Sequence, residues 1–413
     1  MRNAGQRREL IASALPTSWR RGRLFCQLGV FIALTGCSGG GGSQRPGPVA
    51  GVRVVYEASR EIMGLGMLSP GEGPGVLVWE ETESPRVPPA KAAQVGDDSV
   101  GLLRLDVLSG KTEVLHDRVL GPPLYHPYLF WVGLSGDGRR VAAALSNDPA
   151  EPGSAMCVSD NFRSWTPVTA RDKRSRIWPR WSPDGSALAF LSLEAEKYPD
   201  LMPMEAVVLS VPRPAKDVRA VTITPKGGRT IDVAWAADGR RLYQVVHLPE
   251  RNDHHVEAVE WPSLERHTLM KGGPMGLLSV AAQSGDVVWL EEADEAKGDA
   301  AEETERPQTL WRLRPGRKAT RTPVRLDKAP SFVSALSPDG KWWATAPRIP
   351  GDRLGRRGGR GLVVYSLADG TPHTYPALSE REITSLAWVL GGRGLVVAER
   401  GKKIWLVGVQ VAL

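Results

Sequence analysis

Cysteine is scarce in this chain. Three occur in 413 residues, Cys26, Cys37 and Cys157, and two of them fall within the first 37. Only Cys157 lies beyond that stretch, so no disulfide is available within the remainder of the chain. Segments with convincing helical period are also rare. The apolar stretch Leu24–Leu34 is too short for a comfortable bilayer crossing. An excess of basic charge is missing too, despite the formal +7. Six arginines (2, 7, 8, 20, 21 and 23) and one acid, Glu9, lie in residues 1–36, and the remainder holds 47 basic against 45 acidic side chains. A net charge that small makes no case for nucleic acid.

Turns and tryptophan are plentiful, with 45 Gly, 33 Pro and 14 Trp. The organising stretch is Trp181-Ser182-Pro183-Asp184-Gly185, followed by the apolar run Ala187–Leu191. It reads as a tight β-hairpin. Pro183 fixes the first corner of a type I turn, the Asp184 carboxylate can accept nearby backbone N–H groups, and Gly185 takes the corner where φ is positive. Related turns recur at Leu134–Gly138, Trp235–Gly239, Leu336–Gly340 and Trp388–Gly392, with weaker copies at Gln283–Gly285 and Leu68–Gly71. The spacing between copies runs from 46 to 66 residues. Periods of that size, with four short alternating strands in each, predict an all-β propeller of four-stranded blades. Seven turn signals predict seven blades, with six as the alternative. The strand-like segments 52–56 and 403–411 are expected to pair in the last blade and close the ring, which removes an open sheet edge.

These hairpins, with Asp137, Gly138, Trp181, Asp184, Gly185, Trp235, Asp238, Gly239, Asp339 and Gly340 at the repeat positions, resemble the TolB-type, WD-repeat-like propeller family. The resemblance covers roughly residues 50–413. It implies a rigid disc with a role in protein–protein interaction at the cell envelope; TolB itself has six blades and an N-terminal α/β domain that is not seen here. The prolyl oligopeptidases share such a propeller, but no room remains after the last repeat for the α/β domain that builds a nucleophile elbow. The equivalent tryptophans are expected to pack between blades.

The N-terminus carries Arg20-Arg21-Gly22-Arg23, then the short apolar segment, then Leu34-Thr35-Gly36-Cys37. That order has the form of a signal peptide, and its last four residues resemble the bacterial lipobox. Residues 1–36 are therefore read as a lipoprotein signal peptide and Cys37 as the lipidated residue. Residues 37–49, beginning Cys37-Ser38-Gly39-Gly40-Gly41-Gly42-Ser43, form a flexible tether, and 50–413 a single propeller domain. The expected partner is the membrane, through lipid on Cys37, together with an envelope protein. The expected location is the envelope, on the periplasmic face of the outer membrane if the host is Gram-negative.

The long insertions, 81–99, 193–204, 292–307 and 347–360, are expected between the second and third strands of their blades, on one face of the disc. Long loops sharing a face mark a binding surface. The 291–305 insertion is acidic and reads as a solvated loop, with a metal or a cationic partner as the alternative. The 348–360 insertion carries Arg353, Arg356, Arg357 and Arg360 among glycines; it is either plain flexible chain or a site for an anionic group. His126 is expected near a blade entry, where it can face the central channel. Asp253-His254-His255 is the tightest histidine cluster and reads as part of a solvent-facing loop, since adjacent histidines on a strand point to opposite faces. No catalytic residue, metal site or cofactor is assigned. The functional expectation is a non-catalytic binding or scaffold module. The alternative is a hydrolase or lyase acting on saccharides or peptides at the channel mouth.

Overall fold

The structure is a computed structural model. It describes residues 51–59, 62–67, 74–81, 99–120, 132–145, 153–170, 172–194, 204–215, 217–292, 308–349 and 358–409. The N-terminal region with Cys37, the Leu68–Gly71 turn, most of the long insertions, His126, Arg353, Arg356 and Arg357 lie outside them.

Seven antiparallel sheets follow one another around a ring. Blades 1 to 6 take their strands from residues 62–120, 132–167, 174–222, 229–272, 275–321 and 330–374; blade 7 takes 382–408. Their innermost strands are Ile62–Met67, Val132–Leu134, Arg174–Trp181, Arg229–Trp235, Met275–Val280, Pro330–Leu336 and Glu382–Val389. The blade count is seven, and the ring is shut by the two ends of the domain. Val52–Glu57 pairs antiparallel with Lys403–Gly408, in the register Val52 with Val407 and Glu57 with Lys403, and supplies the outermost strand of blade 7.

Burial is greatest at the second strand of a blade and falls outward from it. The second strand of blade 3, Ala187–Glu194, is buried at every residue but the last, while its fourth, Arg219–Thr222, is mostly exposed. A strand covered on both faces needs an unbroken apolar run, which is what Ala187-Leu188-Ala189-Phe190-Leu191 supplies. The core is divided into clusters between neighbouring blades. One joins Ala142, Met156 and Val158 of blade 2 to Trp181, Leu188 and Phe190 of blade 3.

The repeated hairpin has a common chemistry. In blade 3 the Gly185 N–H donates to the Ser182 carbonyl at 2.9 Å, and Gly185 has φ +69°. The Asp184 carboxylate accepts from the Ser182 hydroxyl at 2.6 Å and from the Ser186 N–H at 3.0 Å. The Ser182 hydroxyl oxygen in turn accepts the Ala187 N–H at 2.9 Å. The same serine–aspartate clasp recurs at Ser135 with Asp137 and at Ser337 with Asp339. Burial pushes the Asp137 and Asp184 carboxyls up, but the hydrogen bonds they accept win and hold both below the usual carboxylate range.

One expectation is overturned. Asp253-His254-His255 is not loop: it begins the strand Asp253–Glu260 of blade 4, and His255 is buried. The turn is made just upstream by Pro249–Arg251, with Asn252 at φ +46°. His255 alternates in phase with Glu257 and Val259, so the pairing of this strand with Arg241–Leu248 carries it inward. His254 lies on the other face and stacks on His247, ring centroids 4.2 Å apart.

Candidate functional site: a partitioned central channel and a loop face

The innermost strands build the site because all but that of blade 2 carry a register shift against their second strands, such as Ile177 to Arg180 in blade 3, Gly276 to Ser279 in blade 5 and Pro330 to Ser334 in blade 6. A bulge re-aims the residues beside it. Trp178 and Leu277 sit at these irregularities with φ of +54° and +53°. Trp178 of blade 3 and Phe332 of blade 6 come from opposite sides of the ring, and their rings meet with centroids 6.3 Å apart at 51°.

This contact lies at a partition. On one side is a hollow of about 180 Å³ on the loop face, between blades 5 and 6, lined by Ile231, Met275, Leu277, Leu290 and Phe332, with Glu292, Gln308 and Arg348 among its polar groups. On the other is a channel hollow of about 170 Å³ to which every blade contributes. Leu277 and Phe332 line both hollows and so separate them. Phe332 retains 38% of its surface, an unusual exposure for a large apolar side chain on an inner strand.

The channel hollow is polar below that roof. Arg180, Asp232, Ser279, Ser334 and Ser385 reach it from five successive blades. Asp232 accepts the N–H of Leu278, on the next blade, at 2.9 Å and that of Val233 at 2.8 Å. Removal from water pushes its carboxyl up to about 6, against the pull of the Arg180 charge and the two N–H groups. Ser385 plays the same bridging part between blades 7 and 1, its hydroxyl accepting the Leu65 N–H at 3.2 Å.

The second-to-third-strand connections of blades 1, 3, 5 and 6 leave from the same face as the 180 Å³ hollow, following the strands Gly75–Glu81, Ala187–Glu194, Val287–Glu292 and Trp342–Pro347. Of the arginines singled out by sequence, Arg360 is described. Its short strand Gly359–Arg360 pairs with the inner edge of Glu382–Val389, and its guanidinium lies 3.9 Å from Glu382, which also takes Arg400 at 2.9 Å. Arg360 is thus in an ion-pair group.

The repeat tryptophans join blades. The indole N–H of Trp181 donates to the Gly133 carbonyl at 3.1 Å, that of Trp235 to Arg180 at 2.9 Å and that of Trp388 to Ala335 at 3.1 Å. Each acceptor lies on the inner strand of the preceding blade. Cys157 is buried, and burial pushes its thiol up to about 11 against the opposing charge of Arg176. Among the described residues no group of three His, Cys, Asp or Glu is placed to hold a metal ion, and no helix is long and apolar enough to cross a membrane. Sequence reasoning missed Trp178, Arg180, Asp232 and Phe332. Their only signal was position, one to four residues before the hairpin Trp or its equivalent.

No protein-family profile and no curated protein sequence matches the chain. Solved structures do. The β-propeller domain of the Trilobed protease from Pyrococcus furiosus aligns with a TM-score of 0.54 and 10% identity, over 86% of this chain and 95% of that one. The chain is a seven-bladed β-propeller. An oligogalacturonate lyase in complex with manganese aligns with the propeller at TM-score 0.52 and 8% identity, over 86% of this chain and 98% of that one. The propeller domain of Cps50 (Swd1) from Myceliophteria thermophila does so at 0.52 and 11%, over 90% and 100%. A putative TolB from Agrobacterium tumefaciens aligns at TM-score 0.41 and 14%, over 65% of this chain and 83% of that one. The Trilobed protease propeller is described as having an open velcro topology; here Val52–Glu57 closes the ring on Lys403–Gly408.

Proposed function

We propose that this chain is an exported lipoprotein, held to a membrane through Cys37, whose propeller is a non-catalytic binding module for an envelope protein. The observation that carries the binding role is the shared origin of the four long connections on the face that also bears the 180 Å³ hollow. Its apolar floor of Ile231, Met275, Leu277, Leu290 and Phe332 suits an inserted apolar side chain, and the polar groups beside it suit the rim of an interface. The anchoring role is supported by the order of basic residues, short apolar segment, Leu-Thr-Gly-Cys and Gly/Ser tether.

Two measurements test this. Labelled palmitate should enter the wild-type protein and not Cys37→Ala, and the wild type should sediment with membranes. Absence of label from the wild type overturns the anchor. For binding, cross-linking in native envelope should join the wild type to a defined protein. Phe332→Glu, or removal of 293–307 and 350–357, should abolish that product. A product that survives all three changes places the interface elsewhere.

A further inference from the structure

The channel hollow on the hairpin-turn side of the Trp178–Phe332 partition has a composition that the loop-face reading does not use. At the position just before the hairpin Trp or its equivalent, the other six blades carry Gly66, Gly133, Ala234, Ser279, Ala335 and Ala387. Blade 3 alone places a long cation there, Arg180. Its backbone carbonyl serves the structure by accepting the Trp235 indole N–H, but its side chain is exposed and lines the channel hollow. It acts on Asp232 through space, and no hydrogen bond or ion pair among the described residues holds its guanidinium.

Asp232 is the acidic counterpart on the adjoining blade. Its two oxygens each take one backbone N–H, which fixes the carboxylate and leaves acceptor capacity free. It is largely ionised at neutral pH, its carboxyl lying at about 6. The hydroxyls of Ser279 and Ser334 and the apolar surfaces of Trp178, Leu277 and Phe332 line the same hollow. A fixed anion and a cation that no described hydrogen bond or ion pair holds, in one hollow beneath an apolar roof, match a molecule with a carboxylate, an ammonium and a short apolar group.

We propose that this hollow binds a small zwitterion of the free α-amino-acid class, with its carboxylate toward Arg180, its ammonium toward Asp232 and its side chain beneath Trp178 and Phe332. About 170 Å³ admits one such molecule. Leu277 and Phe332 line both hollows, but Arg180 and Asp232 line this one alone, so a test on Arg180 can fail without the loop-face reading failing.

The test uses the full-length protein in detergent, titrated with L-alanine and L-leucine and followed by calorimetry and by the fluorescence of Trp178 and its neighbours. L-lactate and isoamylamine, each carrying one of the two charges, are the controls. Saturable binding of at least one amino acid is expected, with both controls weaker by about tenfold or more, because each charge-assisted hydrogen bond contributes that much. Arg180→Ala should weaken binding by at least about tenfold, and Arg180→Lys by less. Since the Arg180 side chain is exposed and its backbone makes the Trp235 bond, near-ultraviolet circular dichroism should be unchanged. No saturation with either amino acid overturns the proposal. So does lactate binding as tightly as the amino acids, a comparison made on the wild type alone, or an Arg180→Ala protein that is folded and binds normally.

Discussion

Trp178 and Phe332 stand at opposite sides of a seven-membered ring and touch at its centre, 6.3 Å between ring centroids. That contact separates an apolar hollow on the loop face from a polar one in the channel. Phe332→Ala should join the two. Because Phe332 keeps 38% of its surface, the stability loss should fall below the roughly 3–5 kcal/mol of a fully buried Phe→Ala change. Denaturant unfolding measures this, and Trp178 emission should shift to the red as water reaches it. A full-sized loss with no shift would mean that Phe332 is core rather than partition.

The indole N–H bonds of Trp181, Trp235 and Trp388 each tie a blade to the one before it. Trp388, 1% exposed, gives the cleanest test. Trp388→Phe keeps a ring but removes one donor to the Ala335 carbonyl, which is still opposite Ala344 in its own sheet, at a cost of about 0.5–1.5 kcal/mol plus a term for the lost volume. The double variant with Trp235→Phe should be additive, since the two bonds share no partner. Coupling above about 1 kcal/mol in a double-mutant cycle would contradict independent blade junctions.

Arg140 has no exposed surface. Its guanidinium bonds Asp160 at 2.6 Å, the carbonyls of Gly185 at 2.6 Å and Val211 at 2.9 Å, and lies over the Trp181 ring at 4.6 Å. Arg140→Met leaves two blade 3 carbonyls without their donor, so a loss of roughly 3–5 kcal/mol is expected. Asp160→Asn removes the counter-charge of the buried guanidinium but keeps an acceptor for its Nε–H and leaves both carbonyl bonds in place, so it should cost less than Arg140→Met. Equal losses on unfolding would show that the ion pair, not the carbonyl bonds, dominates.

Asp232 gives a pH dependence whose sign is fixed. Its carboxyl is raised from 3.8 to about 6 on folding, so between those values the folded state binds more protons than the unfolded one. The Asp232 contribution to stability is therefore greatest below pH 4 and is lost as pH rises toward 6. Carbonyl-carbon NMR of the labelled side chain should titrate near 6. Arg180→Ala should move that midpoint upward, because the cation favours the ionised form. An unchanged midpoint would place Arg180 outside electrostatic reach.

The ring closure predicts an edge effect. Without residues 52–57 the strand Lys403–Gly408 becomes an unpaired edge. Thermal unfolding should occur at lower temperature, and the truncated protein should self-associate more. An unchanged melting temperature would show that closure contributes little.

Particular residues show where sequence reasoning stopped. Ser182-Pro183-Asp184-Gly185 and its copies were legible because a tight turn depends on four adjacent residues, and Pro, Asp and Gly each answer to a local backbone requirement. The pairing of 52–57 with 403–408 followed from counting strands that needed partners. The Ser182 hydroxyl that completes the clasp with Asp184 is local too, yet the turn chemistry of Pro183, Asp184 and Gly185 does not call for it. His255 was misplaced because the Asn252 turn, and not the histidines, ended the preceding strand.

The local pattern by itself determined that the chain is all-β and repetitive, with seven blades or six, and pointed to closure on its own ends, since strand alternation and turn chemistry act over a few residues and recur. The bulges, the meeting of Trp178 with Phe332 and the sharing of one hollow by Arg180 and Asp232 were decided only by the tertiary structure. Trp178 and Phe332 are 154 positions apart, and no periodicity relates them. They touch because ring closure turns the free edges of seven sheets toward one axis, where the space left over is shared by every blade and specified by none.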